Sequence, residues 1–322
     1  MFHLEEDSIR SKEIEKLIRS KKITKDLNQF AIALVDLKEK DPKIFGVNLD
    51  LWMYPASVYK IFIGAEVLRQ VEQQKYNLKD LVEIKSPNDV DKDARLFPDT
   101  RPLLKSGDKV SIEYLLELML GRSDNTASNC LIDIVGRESI SKNIIQPNGW
   151  FGSEVTRKFI DRAKEDKPYR YVESTKTCVR HVAEFFYKVD NGQLVSPFVS
   201  SKLREYMLKW ETKRQGFSIP EYIAYYRKGG YLETNLYTSF YRKSGFGFDM
   251  VRGLGSLIKT ILTKGWAFLR YMHDAGVVEG NNSRYVVVVF TLSKQLNPRK
   301  CFHMDKLAKA VFDYMETSSK IQ

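Results

Sequence analysis

Strand-forming segments lie near both ends of this chain of 322 residues, and the long stretch between them has helical periodicity. The strongest strand signals are residues 29–36 (QFAIALVD) and 284–292 (RYVVVVFTL), which are runs of apolar and β-branched residues. Residue 57 opens a stretch, SVYKIFIGAEVLRQVEQ, in which apolar residues recur at helical spacing. This arrangement indicates a sheet built from strands of both ends, with the helices between them as an insertion.

The sequence therefore predicts an α/β (α+β) fold of two subdomains that form one structural unit. Residues 1–56 and 232–322 supply an antiparallel sheet flanked by N- and C-terminal helices, and residues 57–231 supply a mainly helical subdomain. Two more strands are predicted over residues 43–48 and 236–243. Further helices are predicted over residues 8–26, 112–120, 124–136, 178–188, 199–211 and 304–317.

Composition narrows the classes of partner and cofactor. The net charge is +11, but the basic residues are scattered as on a solvated surface, and no zinc-finger, helix-turn-helix or RNA-binding pattern predicts a nucleic-acid partner. Three dispersed cysteines are too few for a disulfide framework, and four histidines without metal-ligand spacing argue against a protein-held metal. We predict no cofactor. The N-terminus lacks the segments of a signal peptide, and no apolar run could span a membrane. We expect a monomer.

Ser57 and Lys60 form a Ser-x-x-Lys motif at the start of a predicted helix. Positions i and i+3 of a helix share a face, so Lys60 would lie beside the Ser57 hydroxyl and serve as its base. The apolar neighbours of Lys60 predict burial, which lowers the pKa of an ammonium group. A serine N-cap followed by a surface lysine is the ordinary alternative. That alternative suits the other copies of the motif, at residues 106–109, 139–142 and 256–259.

Ser123, Asp124 and Asn125 connect two predicted helices. As structure alone, Asp124 or Ser123 would cap the second helix. Beside an acylation site, the Ser123 hydroxyl can pass a proton to a leaving group, and the Asn125 amide can hold a substrate amide.

Lys243, Ser244 and Gly245 end a predicted strand. Lys243 can supply positive charge for a substrate carboxylate, Ser244 a hydroxyl contact, and Gly245 room for a substrate backbone. A second Lys-Ser-Gly sequence, at residues 105–107, is predicted to lie in a loop.

In this order the three motifs resemble the signature of class A β-lactamases and penicillin-binding proteins. The resemblance covers nearly the whole chain and includes the segments DNTASNCLIDIVG and HDAGVV. It implies that Ser57 is the acylated nucleophile and that Lys60 is its base. It also implies that Ser123 is a proton shuttle and that Asn125 binds the substrate. Lys243 and Ser244 would bind the substrate carboxylate. The oxyanion hole would combine the Ser57 N–H with one that follows Gly245, and the active site would lie at the interface of the two subdomains.

One departure from class A β-lactamases lies in the loop that carries their deacylating base. These enzymes have a glutamate followed three and four residues later by Leu-Asn, and residues 150–173 contain no such sequence. Asp161, Glu165 and Asp166 are candidate substitutes, with surface charges as the alternative. A general base contributes on the order of 10²–10⁴-fold, so its loss predicts an acyl-enzyme that hydrolyses slowly.

A second departure is the length of residues 212–234 and 246–270, which exceed what a minimal class A enzyme needs and could reshape the pocket. Arg242, Arg252 and Arg284 are all candidate partners for a substrate carboxylate.

The resemblance implies a penicillin-recognising serine hydrolase that acts on small β-lactams by β-lactamase-type amide hydrolysis. A D-alanyl-D-alanine carboxypeptidase or transpeptidase of cell-wall peptides is the alternative enzyme. A non-catalytic sensor that binds β-lactams or peptides is the alternative from another class. The resemblance also implies a periplasmic or extracellular location, while the N-terminal sequence leaves the cytoplasm open.

Overall fold

The computed structural model shows a mixed architecture of strands and helices. The structure describes residues 3–24, 27–92, 101–208, 224–235, 268–280, 282–295 and 304–318. The strands are β1 (Gln29–Asp36), β2 (Ile44–Val47), β3 (Leu81–Glu83), β4 (Lys109–Ser111), β5 (Ala224–Asn235), β6 (Phe268–Glu279) and β7 (Arg284–Gln295). Five of these described strands form one antiparallel sheet in the order β2-β1-β7-β6-β5, and β3 pairs with β4.

Helices occupy most of the described chain between β2 and β5. The α-helices are α1 (Ser8–Ser20), α2 (Lys60–Glu72), α3 (Ile112–Gly121), α4 (Asn125–Val135), α5 (Arg137–Ile140), α6 (Val179–Asp190), α7 (Pro197–Leu208) and α8 (Met304–Ser318). A 3-10 helix (Ala56–Tyr59) leads into α2, and a π-helical turn (Ser141–Ile145) continues α5.

The central strands of the sheet are buried on both faces because helices cover each side. In the register of β1 with β7, Ala33 lies opposite Val288 and Leu34 lies opposite Val287. Ala33 and Val288 join the core that includes α2 and α6, whereas Leu34 and Val287 join the core formed with α1 and α8. Side chains alternate between the faces of a strand, so two covered faces require the nearly continuous apolar runs seen in the sequence.

The predicted fold class is confirmed by these layers, with terminal helices on one face of the sheet and the helical insertion on the other. Strand β1 has the predicted bounds, and β7 extends three residues beyond the predicted 284–292. Strand β5 begins at Ala224, so the boundary predicted between residues 231 and 232 falls inside a strand. The division into subdomains stays a prediction, and the strand predicted over 236–243 lies outside the described residues.

None of the described helices combines the length and the hydropathy that a membrane-spanning helix requires.

Candidate active site

Ser57 lies in the 3-10 helix immediately before α2, and its side chain is half-buried. A 3-10 helix has about three residues per turn, so the side chains of Ser57 and Lys60 project from the same face, one above the other. Ala56 has φ +48°, a left-handed conformation that costs energy in a residue with a Cβ. The Ser57 N–H donates to no acceptor among the described residues. It is therefore available to stabilise an oxyanion.

Lys60 is fully buried, and its amine contacts the Ser-Asp-Asn motif. Nζ lies 2.7 Å from the Ser123 carbonyl oxygen, 3.2 Å from Ser123 Oγ and 2.7 Å from Asn125 Oδ1. A neutral amine can donate to the two nearer oxygens and accept from the Ser123 hydroxyl. Hydrogen bonds in the described part of the chain include none between Lys60 and Ser57.

Burial lowers the pKa of Lys60 from its ordinary value of 10.5 to about 7. The carboxylates of Asp91 and Asp124 act in the opposite direction and raise this pKa. A lysine with a pKa near 7 is substantially deprotonated at neutral pH, so its amine can accept a proton from a nearby hydroxyl.

The connection between α3 and α4 holds Ser123 in a strained conformation, with φ +64°. Of the two predicted caps, Asp124 is the N-cap of α4, and its Oδ1 accepts from the Ala127 N–H at 2.8 Å. Arg122 is buried and donates to Asp124 Oδ2 from Nη2 at 3.0 Å and from Nε at 3.2 Å. The other guanidinium bonds of Arg122 fix the segment before α3, because they reach the carbonyls of residues 101 and 102 at 2.8 Å.

Asp91 is a site residue that the sequence did not identify. Its Oδ2 accepts from the Asn125 backbone N–H at 2.6 Å, and its Oδ1 accepts from Asn125 Nδ2 at 3.2 Å. Because Asn125 Oδ1 faces Lys60 and Nδ2 faces Asp91, both ends of the amide are engaged. Burial raises the pKa of Asp91, while the bonds from Asn125 lower it.

Phe159, in the loop that follows α5, covers Lys60 with an aromatic ring. Lys60 Nζ lies 4.3 Å from the ring centroid, and the ring stacks on Tyr59 with centroids 5.5 Å apart. Asn129 of α4 anchors this loop, because its Oδ1 accepts from the Phe159 N–H at 2.7 Å. The group that the loop presents to the candidate base is therefore a hydrocarbon ring and not a carboxylate.

The structure describes all three loop carboxylates that were predicted as substitutes for a deacylating base. Asp161 is exposed. Glu165 is buried, contrary to the surface alternative, and binds Arg137 Nη2 at 2.5 Å while accepting from the Lys158 N–H at 3.0 Å. Asp166 accepts from Arg137 Nη1 at 3.0 Å. Arg137 thus ties this loop to the start of α5 through both of its terminal nitrogens.

His273 of β6 supports the segment that leads to Ser57. The Thr291 N–H donates to His273 Nδ1 at 3.1 Å, so the ring proton lies on Nε2, which donates to the Tyr54 carbonyl at 2.8 Å. The neighbouring strand thereby anchors the backbone three residues before Ser57. The sequence marked this position only as part of the HDAGVV resemblance.

The remaining predicted residues fall into two groups. Lys243, Ser244, Gly245, Arg242 and Arg252 lie outside the described residues. Arg284 is described, and its guanidinium forms two bonds with Asp190, at 2.6 and 2.8 Å. Its paired nitrogens are therefore committed to a structural ion pair at the start of β7.

The fold is of the mixed α/β type, and its buried lysine contacts the Ser-Asp-Asn motif one turn after Ser57. The chain matches the beta-lactamase enzyme family over residues 10–315 and belongs to that family. Membership identifies the protein as a hydrolase. No curated protein sequence matches it.

Several solved structures share the fold. A mutant of PBP-A, captured as an acyl-enzyme with penicillin G, has a TM-score of 0.65 and 16% identity, and the match covers 98% of this chain and 100% of that one. A β-lactamase from Chitinophaga pinensis has a TM-score of 0.67 and 16% identity over 94% and 98% of the chains. A β-lactamase from Sphaerobacter thermophilus has a TM-score of 0.64 and 17% identity over 94% and 97%.

The buried ion pair between Arg122 and Asp124 generates a prediction about stability. Replacing Arg122 by leucine leaves the buried Asp124 carboxylate without its cationic partner, which should lower the free energy of unfolding by about 3–5 kcal/mol. Arg19→Leu is the control, because Arg19 forms an exposed pair with Glu15 and its loss should cost at most about 0.5 kcal/mol. Urea unfolding measures both. Equal losses in the two variants would contradict the role given to Arg122.

Proposed function

We propose that the protein is a penicillin-recognising serine hydrolase that forms an acyl-enzyme on Ser57 and releases it slowly. The observation that carries this proposal is the burial of Lys60 beside Ser123 and Asn125, one turn after Ser57. Burial supplies a base with a pKa of about 7, and the Ser-Asp-Asn motif supplies the groups that exchange protons and hydrogen bonds with it.

In the proposed acylation, the Ser57 hydroxyl gives its proton to the neutral Lys60 amine while Oγ attacks the carbonyl carbon of the β-lactam. The Ser57 N–H stabilises the negative charge that develops on the carbonyl oxygen. The C–N bond then breaks, and the leaving nitrogen takes a proton that passes from Lys60 through the Ser123 hydroxyl. The 3.2 Å separation of Lys60 Nζ and Ser123 Oγ supports this route.

Slow release of the acyl group is supported by the ring of Phe159 over Lys60. Hydrolysis requires a water molecule and a base that activates it, and a hydrocarbon ring offers neither a hydrogen-bond acceptor nor a proton acceptor. The ion pairs of Glu165 and Asp166 with Arg137 argue against either carboxylate as that base.

The first test is mass spectrometry after incubation with penicillin G. We expect a long-lived adduct on Ser57 that is absent in Ser57→Ala, and sharply slower acylation in Lys60→Ala. Ser106→Ala is the matched control, since Ser106 begins another Ser-x-x-Lys sequence but lies exposed in a turn. An adduct that persists in Ser57→Ala would contradict the nucleophile. Absence of any adduct would support a non-catalytic scaffold instead.

The second test is the pH dependence of acylation. Because the neutral amine of Lys60 is the reactive form, the acylation rate constant should rise with pH through about 7 and then level off. Stopped-flow measurement of adduct formation across this range gives the midpoint. A rate that stays constant through pH 7, or one that falls as the pH rises, would contradict Lys60 as the base.

The third test concerns deacylation. Phe159→Glu places a carboxylate next to Lys60 and should shorten the lifetime of the penicillin adduct by about 10²-fold, the usual contribution of a general base. Phe159→Leu is the control, because it removes the ring without adding a base, and its adduct should remain long-lived. The same adduct lifetime in the native protein and both variants would contradict this explanation. Rapid hydrolysis by the native protein would contradict slow release itself.

A D-alanyl-D-alanine peptidase would also form a long-lived penicillin adduct. Release of D-alanine from a peptide that ends in D-alanyl-D-alanine, lost in Ser57→Ala, would identify that activity.

A further inference from the structure

The Asn125 amide has a fixed orientation because different partners bind its two ends. Lys60 Nζ lies 2.7 Å from Oδ1, and an amine that donates a hydrogen bond selects the oxygen end. The nitrogen end therefore faces Asp91, whose Oδ1 lies 3.2 Å away, while Asp91 Oδ2 binds the Asn125 backbone N–H at 2.6 Å. Rotating the amide would place its nitrogen against the lysine and its oxygen against the carboxylate, which are both unfavourable contacts.

Asp91 brings a negative charge to the place where Asn125 would meet a substrate. An ionised carboxylate has about four lone-pair positions, and the two bonds from Asn125 use only part of this capacity. The residue is half-buried, so part of it is open to solvent. In the described chain the nearby Lys92 pairs with Asp89, at 3.1 Å.

These contacts change what the site offers to the side chain of an acyl donor. Asn125 Nδ2 donates one of its two hydrogens to Asp91, so only the other remains for a substrate carbonyl. A substrate N–H group, by contrast, finds an acceptor in Asp91, and an ammonium group gains charge attraction as well.

We infer that Asp91 forms a subsite that selects acyl donors whose side chain carries an ammonium group. The inference rests on the proposed function, because it concerns the substrate that acylates Ser57. Such a preference would run against the net charge of +11, which attracts anions to the protein as a whole. The experiment must therefore separate the effect of the Asp91 carboxylate from the effect of the net charge.

The experiment compares the second-order rate constants for acylation by three penicillins with the same bicyclic nucleus. Ampicillin carries an ammonium group on its side chain, penicillin G carries no charge there, and carbenicillin carries a carboxylate. At a pH at which the ampicillin amine is protonated, the native protein should prefer ampicillin to carbenicillin by at least about tenfold. Asp91→Asn keeps the size of the side chain and its carbonyl acceptor, and it should reduce this preference to about threefold or less.

Asp89→Asn is the matched control, because Asp89 lies in the same segment and binds Lys92 instead of Asn125. It should keep the native preference. An unchanged preference in Asp91→Asn would overturn the subsite. Equal losses for all three penicillins would also overturn it, because Asp91 would then only orient Asn125. If none of the three acylates Ser57 in the native protein, the proposed function fails and the inference fails with it.

Discussion

The burial of one lysine is the constraint on which the rest of the site depends. An ammonium group loses its hydration when it enters a protein interior, and the cost is met partly by hydrogen bonds and partly by a fall in its pKa. Lys60 shows both responses, since three oxygen atoms surround its Nζ and its pKa is lowered to about 7. The lowered pKa of Lys60 is thus a consequence of its buried position at the start of α2.

Three separate segments create this environment, and each is held by contacts outside the site. Arg122 and Asp124 fix the connection that presents Ser123 and its carbonyl. Asn129 fixes the loop that carries Phe159. His273 ties the segment before the 3-10 helix to the sheet through the Tyr54 carbonyl. The helical layer and the sheet thus both support the residues around Lys60.

Sequence patterns predicted the parts of the molecule that local chemistry determines. The apolar run of β1 and the helical periodicity of α2, α3 and α4 fix those elements, and the Ser-Asp-Asn connection follows from the helices beside it. The apolar neighbours of Lys60 also predicted its burial, which is confirmed. These features depend on residues that are close together along the chain.

Contacts between remote segments could not be predicted in the same way. Asp91 stands 34 residues from Asn125 and belongs to no motif, so only the folded chain reveals the two bonds between them. From the sequence, Glu165 would be expected on the surface as a charged residue. Its burial is explained by its ion pair with Arg137, which lies 28 residues away in the sequence. The contact between the Phe159 ring and Lys60 likewise could not be predicted, because the residues around Phe159 do not indicate that its ring reaches the amine.

The most direct test of this account is an NMR titration of the Lys60 side chain, with Lys60→Met used to assign its signal in protein labelled with ¹³C and ¹⁵N at lysine. The account predicts a titration midpoint near 7, separated from the exposed lysines. A midpoint near the ordinary value of 10.5 would contradict it, because Lys60 would then be protonated at neutral pH and could not accept the Ser57 proton.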